Sequence, residues 1–176
     1  MAIRRFFKGL AVASIFVIGI WLLGSVPQVM AETLNFKFFS HTTKGEVSLI
    51  PDVEGHLVSF LAREGVFIFE NGDLAWNSAV QFTDATKGAG TIDLYSTVTF
   101  QDGSTITSHS KGTTEATAAG LPAATKRAGE IIHGTGRFQG IKGTITTSSK
   151  LLPPEKGELR GKSLGEGTYT YTLPSK

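Results

Sequence analysis

The chain has no cysteine among its 176 residues. This absence excludes disulfide bonds, zinc sites built on thiolates, thiol nucleophiles and a lipid-modified N-terminal cysteine. The fold must therefore be stabilised by a hydrophobic core and by hydrogen-bonded secondary structure alone. A long helical period is also missing, because no window of more than about ten residues shows one, and this argues against a helical bundle.

A surplus of basic residues is absent as well, once the first 31 residues are set aside. Three of the 17 Lys and Arg residues lie in that segment, which leaves 14 basic residues against 15 acidic ones. Proteins that bind nucleic acid concentrate positive charge on one face, so we expect no nucleic-acid partner. The histidines are scattered and lack the close spacing of a zinc site, so we expect neither a metal nor a cofactor.

The first 31 residues have the three-part layout of a secretory signal peptide. A short basic start precedes an apolar run over residues 10–23, and Val29-Met30-Ala31 follows as a cleavage site. The alternative is an uncleaved membrane anchor, because no charged residue occurs over residues 9–31. In either case we expect residues 32–176 to be exported, as a periplasmic or secreted domain or as one tethered to the membrane only through this segment.

Residues 65–110 show an alternation of apolar and polar side chains between tight-turn signals. Asn71-Gly72, Lys87 to Gly90 and Asp102-Gly103 mark the turns. A period of two is typical of antiparallel strands with one buried and one wet face. About eight such strands with short connections predict an all-β fold, a single antiparallel barrel over residues 32–176, since closure leaves no free edge. A β-sandwich is the alternative fold.

We expect the large apolar side chains of this stretch to share the interior face and to line a lumen. If Lys87 to Gly90 forms the turn, Phe82 pairs with Ile92 and Ser78 pairs with Ser96, which places two serines opposite each other in the apolar face. The predicted ligand-binding residues are Phe67, Trp76, Ser78, Phe82, Ser96, Phe100 and His109.

The orientation of His109 depends on the turn at Asp102-Gly103. A two-residue turn pairs Ser96 with His109, whereas one additional bulged residue pairs Ser96 with Ser110. A slip of one residue reverses every side chain, so His109 lies either in the lumen or in solvent. Serine and histidine without an identified acid or oxyanion hole do not define a hydrolase, and the catalytic residues stay unassigned.

A glycine-rich tract extends from Gly134 to Gly143 between two late strands. It does not fit a dinucleotide-binding fingerprint, because Gln139 stands where a glycine is needed and no helix follows. It does not fit a phosphate-binding P-loop either, because the final lysine and glycine are in the wrong order. We expect these glycines to serve sharp turns and close strand approach, with Phe138 as a plug of the barrel.

The same tract carries a family resemblance. Gly-Thr-Gly-Arg-Phe-x-Gly-x-x-Gly resembles the corresponding segment of the allene oxide cyclase and dirigent-like barrels, and Phe-x-Asp-Gly-Ser at 100–104 is similar to their central hairpins. The resemblance implies an eight-stranded barrel with an apolar lumen, often assembled into dimers or trimers. Some members cyclise or isomerise apolar substrates, or orient radicals during coupling. None of their catalytic residues matches a position here, so none is transferred.

Three functional hypotheses are consistent with the sequence. The leading one is an exported barrel that binds a small apolar or amphipathic molecule in its lumen. The second is a cyclase or isomerase in which Ser78, Ser96 or His109 binds a developing oxyanion or proton. The third is a structural barrel whose lumen is filled by its own side chains. Whether the protein is an enzyme, and whether it forms a homo-oligomer, stays open at this point.

Overall fold

Eight antiparallel strands form a closed barrel in which each strand pairs with its neighbours in the chain and β8 pairs with β1. The computed structural model describes residues 30–116, 122–152, 156 and 161–175. The predicted all-β barrel is therefore confirmed, and the sandwich alternative is wrong. The strands are β1 (Glu32–Leu49), β2 (His56–Phe69), β3 (Leu74–Thr86), β4 (Ala89–Phe100), β5 (Thr105–Ala116), β6 (Pro122–Gly134), β7 (Lys142–Leu151) and β8 (Ser163–Thr172).

The predicted signal peptide or anchor, residues 1–31, lies outside the described residues except for its last two positions. Its cleavage and the export of the barrel stay predictions. Within the described part of the chain, no helix is both long enough and apolar enough to cross a membrane.

The interior of the barrel differs between its two ends. The inward side chains of the first end, here called the aromatic end, are Leu34, Phe36, Phe38, Phe67, Phe69, Ala75, Val98, Phe100, Ile106, Ile131, Phe138, Ile141, Ile145, Tyr169 and Tyr171. The inward side chains that define the second end, here called the polar end, are Ser40, Arg63, Asn77, Ser96, Ser110, Thr114, Thr125, Arg127, Thr147, Ser149 and Ser163.

Packed rings fill the aromatic end. The ring centroids of Phe36 and Phe67 are 4.6 Å apart, and those of Phe69 and Phe100 are 5.0 Å apart. Contacts of this kind add to the hydrophobic stabilisation, which is roughly 1.5–3 kcal/mol for each fully buried Phe side chain. The aromatic end is therefore the main hydrophobic core of the fold.

The glycine-rich tract closes the aromatic end, as predicted. A short 3-10 helix, η1 (Gly136–Phe138), turns the chain inward, and the ring of Phe138 is buried 4.9 Å from the ring of Phe100. Gly136 has a φ of 58°, and a Cβ atom there would lie 2.4 Å from the Ser104 hydroxyl oxygen. This turn requires glycine, and the structural interpretation of the tract is confirmed.

The inward face of β3 is the opposite of the predicted one. The turn after β3 consists of two residues, Lys87 and Gly88, whose φ angles of 50° and 83° are typical of a type I′ hairpin turn. Phe82 consequently pairs with Asp93 and not with Ile92. This difference of one residue turns every side chain of β3 to the other side of the sheet.

The register between β4 and β5 also differs from both predicted alternatives. Ser96 pairs with Ser108, because three residues, Gln101 to Gly103, separate the closing pair formed by Phe100 and Ser104. Gly103 has a φ of 80°, as the last position of a three-residue hairpin loop often has. His109 therefore lies on the outer face of β5.

Candidate functional site

Three of the seven predicted site residues lie inside the barrel. Phe67 and Phe100 are buried in the aromatic end, where their rings pack against other rings of the protein. Ser96 lies in the polar end, and its hydroxyl donates a hydrogen bond to Oδ1 of Asn77. The predicted pair of Ser78 and Ser96 does not exist, because Asn77 occupies the interior position on β3.

The interior placement predicted for Trp76, Ser78 and Phe82 is wrong. Trp76 and Phe82 are 49% and 47% exposed on the outer face of β3, and Ser78 is exposed on the same face. The two-residue turn described above is the physical reason, since it sets the register of β3 against β4. These aromatic side chains belong to an exposed apolar face with Phe60 and Ile68 of β2.

The interior placement of His109 is wrong as well. Its Nε2 atom forms a hydrogen bond with Oδ1 of Asp93, and its ring stacks on Tyr95 with the centroids 4.1 Å apart. These contacts hold His109 on the outer wall. The His109 side chain therefore does not line the lumen.

Arg63 is the most unusual residue of the polar end. It lies on β2 between the inward positions of Leu61 and Gly65, so the strand directs its side chain into the barrel. Only 6% of Arg63 is exposed. Nη2 donates to the hydroxyls of Ser40 and Ser163 at 3.1 and 3.0 Å, and Nη1 donates to the Thr42 hydroxyl at 3.2 Å.

A second guanidinium group enters from the opposite wall. Arg127 lies on β6, four strands away from β2 in a barrel of eight strands, and its Nε atom donates to the Thr147 hydroxyl at 3.2 Å. Burial lowers the pKa of each arginine to about 10. The charge of Arg63 lowers the pKa of Arg127 further, so the two groups are close enough to repel each other. Both stay charged at neutral pH.

No acidic side chain compensates these two charges among the described residues. None of the described Asp and Glu residues is buried, and neither arginine forms an ion pair in that part of the chain. A buried charge without a counter-ion is costly, even when neutral hydroxyls accept its hydrogen bonds. The described side chains therefore leave the two positive charges of the polar end without a counter-ion.

Two buried hydroxyls lie where the aromatic and polar ends meet. The Tyr169 ring packs 5.2 Å from the Phe36 ring, while its hydroxyl lies near Ser108 and within the electrostatic influence of Arg127. Both Ser108 and Tyr169 are 0% exposed. The Ser108 hydroxyl is close enough to Tyr169 to offset part of the rise in its pKa, but neither hydroxyl has a well-formed hydrogen bond in the described structure. Burial raises the pKa of Tyr169, so its phenol stays protonated and can donate a hydrogen bond.

Neither arginine was predicted from the sequence to lie in the lumen, for an identifiable reason. An arginine in an alternating strand is ordinarily assigned to the wet face, because it is rarely buried without a partner. The available signal was the parity of β2, where Arg63 shares odd-numbered positions with Leu61, Phe67 and Phe69. Arg127 had no comparable signal, since β6 lacks a clear alternation of apolar residues.

The outer wall has a groove of about 740 Å³ that crosses five strands, from β6 through β8 and β1 to β2. Three of its polar side chains bind one another: Nδ2 of Asn35 donates to Glu70 at 2.9 Å, and Thr168 donates to Oδ1 of Asn35 at 2.8 Å. The described residues also contain no cluster of three or more His, Asp or Glu suited to a metal ion.

Comparison with known proteins identifies the architecture. No protein-family model matches this chain, and no curated protein matches it. The solved pterocarpan synthase dirigent protein GePTS1 is similar, with a TM-score of 0.51 and 14% identity over 83% of this chain and 92% of that chain. For the pterocarpan synthase dirigent protein PsPTS1 the TM-score is 0.50, with 16% identity over 84% of this chain and 97% of that chain.

At such low identity the similarity extends to the fold alone. It supports the dirigent-like part of the resemblance seen in the sequence, whereas the allene oxide cyclase part stays a prediction. The chain therefore has the eight-stranded barrel architecture of these dirigent proteins.

Proposed function

We propose that this protein binds a small amphipathic molecule inside the barrel, with the polar part of the molecule at the polar end. The observation that carries the proposal is that the buried hydroxyls of Ser108 and Tyr169 lie next to each other without a well-formed hydrogen bond. Buried polar groups in native proteins nearly always have a well-formed hydrogen bond, so these two hydroxyls deep in the barrel favour an additional partner that binds from outside. Their position at the junction of the two ends suits a molecule with both polar and apolar parts.

An apolar wall supports the same proposal. Ala79, Ile92 and Leu94 form a small hydrophobic cluster on β3 and β4, on the inner side of the sheet. A ligand whose polar group meets the hydroxyls and arginines can place its apolar part against this wall. Small-molecule sites commonly combine such an apolar lining with a few fixed polar groups.

The alternative functions fit the structure less well. Side chains fill the aromatic end, as the hypothesis of a filled structural barrel requires. The polar end, however, contains charges and hydroxyls that are not needed merely to fill a lumen. The residues proposed for a cyclase or isomerase were Ser78, Ser96 and His109, of which two face outward and the third binds Asn77. The two similar structures are named as synthase dirigent proteins, which is consistent with a barrel that receives a small organic molecule.

A titration with 1-octanol, monitored by NMR of the backbone amides, tests the proposal. We expect saturable shifts confined to interior residues such as Ser96 and Ser108. Ala79→Met narrows the interior beside the apolar wall and should weaken binding by about tenfold. Ala62→Met is the matched control, because this substitution makes the same change in side-chain size on the outer face of β2.

Absence of saturable interior shifts with 1-octanol and with octanoate would contradict lumenal binding. Equal effects of the two alanine substitutions would place the bound molecule elsewhere on the protein. Native mass spectrometry of the freshly purified protein adds a second measurement, since a retained small molecule appears as a discrete mass increment.

A further inference from the structure

We infer that the polar end holds an organic oxyanion, above all a carboxylate, between the guanidinium groups of Arg63 and Arg127. This inference rests on the proposed lumenal binding and specifies the chemical class of the ligand. Guanidinium groups recognise carboxylates through paired N–H donors, and two of them on opposite walls form a clamp for a single negative charge.

The charge balance of the interior supports an anionic ligand. Arg63 and Arg127 enter the polar end from opposite walls, the charge of Arg63 lowers the pKa of Arg127, and among the described residues no buried carboxylate lies with them. Arg63 is buried and Arg127 is half-buried, so their repulsion is screened less than it would be in bulk water. An anion bound between them removes the repulsion and supplies the missing counter-charge to both.

Both arginines have N–H donors that are free to bind a ligand. A guanidinium group has five N–H donors. Arg63 uses three of them for the Ser40, Ser163 and Thr42 hydroxyls, and Arg127 uses one for the Thr147 hydroxyl. The other N–H groups of both arginines have no acceptor among the described residues. A carboxylate accepts several hydrogen bonds at once and can satisfy groups from both walls.

Hydrogen bonds hold the Arg63 side chain in a fixed position. Ser40 and Ser163 hydrogen-bond each other at 2.9 Å, and both accept from the same Nη2 atom. This arrangement immobilises a long side chain before any ligand arrives, so little conformational entropy is left to lose on binding. Hydroxyls can position an arginine in this way without neutralising its charge, whereas a carboxylate partner would neutralise it.

An apolar surface lies next to the charge of Arg63. Arg63 pairs in register with Ala79, which belongs to the apolar wall with Ile92 and Leu94. The oxyanion of the ligand and its apolar part would therefore lie side by side in the polar end. An amphipathic carboxylate matches this combination better than a small inorganic anion, which has no part to place against the wall.

The test compares octanoate with 1-octanol at pH 7, since the two probes share a chain and differ in the charged head. We expect octanoate to bind about 10- to 100-fold more tightly by calorimetry, the range expected for hydrogen bonds to charged groups. The Nε–Hε resonances of Arg63 and Arg127 should shift with octanoate and stay in place with 1-octanol. Arg63→Met and Arg127→Met should each remove most of the preference for octanoate while 1-octanol affinity is preserved.

Arg137→Met is the matched control. Arg137 is an exposed arginine that pairs with Asp73 and Asp102 at the rim of the aromatic end, away from the polar end, so its loss should change neither affinity. In the absence of ligand, Arg63→Met should leave the free energy of unfolding unchanged or raise it, because an uncompensated charge disappears. Should Arg63→Met fail to fold, Arg127→Met and Arg63→Lys provide the same comparison of the two probes.

The outcomes separate this inference from the proposed function. If 1-octanol and octanoate bind the interior with equal affinity, lumenal binding stands and the oxyanion clamp is wrong. If neither probe binds, the proposed function itself is wrong. If the two methionine variants lose octanoate and 1-octanol equally, the arginines are structural and the inference is overturned.

Discussion

The aromatic and polar ends of the barrel use their interior positions in opposite ways. At the aromatic end, the rings of Phe36 and Phe67 and those of Phe69 and Phe100 contact one another. At the polar end, inward positions carry hydroxyls and two arginines, and several N–H groups of those arginines lack an acceptor among the described residues. Hydrophobic burial stabilises the first end, whereas the second contains groups that oppose folding unless something binds them. Stability and binding are thus concentrated at different ends of one sheet.

Truncation in the aromatic end should give the largest effect. Phe69 is 2% exposed and packs against the Phe36, Phe100 and Tyr169 rings. We expect Phe69→Ala to lower the free energy of unfolding by about 3–5 kcal/mol, because it leaves a cavity in packed aromatic surroundings. Chemical denaturation measures the loss. A loss below about 1 kcal/mol would show that the aromatic end is not the core.

Removal of one hydroxyl from the Arg63 site should have an intermediate effect. The Ser163 hydroxyl accepts from Arg63 and is 2.9 Å from the Ser40 hydroxyl. Ser163→Ala should lower the free energy of unfolding by about 1–2 kcal/mol, the range for hydrogen bonds that involve a charged group.

A double-mutant cycle provides the control for this substitution. In an Arg63→Met background the effect of Ser163→Ala should largely disappear, because no charge then needs the hydroxyl. Purely additive losses would mean that Ser163 acts independently of Arg63, and would contradict the described arrangement.

Two tyrosines offer a smaller and sharper comparison. The Tyr169 hydroxyl has no well-formed hydrogen bond in the described structure, whereas the Tyr171 hydroxyl donates to Glu32 at 2.9 Å. We expect Tyr169→Phe to leave the free energy of unfolding of the ligand-free protein unchanged or slightly raised, and Tyr171→Phe to lower it by about 0.5–1.5 kcal/mol. Chemical denaturation of both variants measures the two changes in the free energy of unfolding. A larger loss for Tyr169→Phe would reveal a hydrogen bond to a bound molecule or water.

The smallest expected effect is a pH dependence at the rim of the polar end. Hydrogen bonds to Asp52 and then to Asp84 raise the pKa of His56. The raised pKa means that protonated His56 stabilises the fold fully below its unfolded pKa of about 6.5, and that this contribution is lost as pH rises through the folded pKa. The stability difference between the wild type and His56→Gln should therefore be larger at pH 6 than at pH 9. An Asp52→Asn, Asp84→Asn background provides the control, since without the two carboxylates that hydrogen-bond His56 the substitution should show no such difference.

The sequence predicted the architecture well because the alternation of residues is a direct consequence of strand geometry. It placed Phe67 and Phe100 inside correctly, since Phe67 and Phe69 of β2 share one face and most of the large apolar residues of β4 share one face with Phe100. In β3 both faces carry apolar residues, with small ones such as Ala79 inside and large ones such as Trp76 outside. The rule that larger apolar residues face inward therefore failed there.

The candidate site could not be predicted from the sequence for a related reason. Arg63 and Ala79 are register partners, so a small residue on β3 leaves space next to a long one on β2. This complementarity is visible only when the pairing is known. Loop lengths set the pairing, and a turn of two residues cannot be distinguished from one of four by composition alone.

The short turn at Lys87-Gly88 has a consequence for how such a barrel can change over evolutionary time. A single-residue insertion there would exchange Asn77 and Ala79 for Trp76 and Ser78 inside the sheet, and would thus replace the whole lining of one strand at once. Because β8 must still close on β1, a second change of odd length elsewhere in the chain would have to restore the match. New specificity in this fold is therefore accessible through paired changes in loop length, without any substitution within the strands.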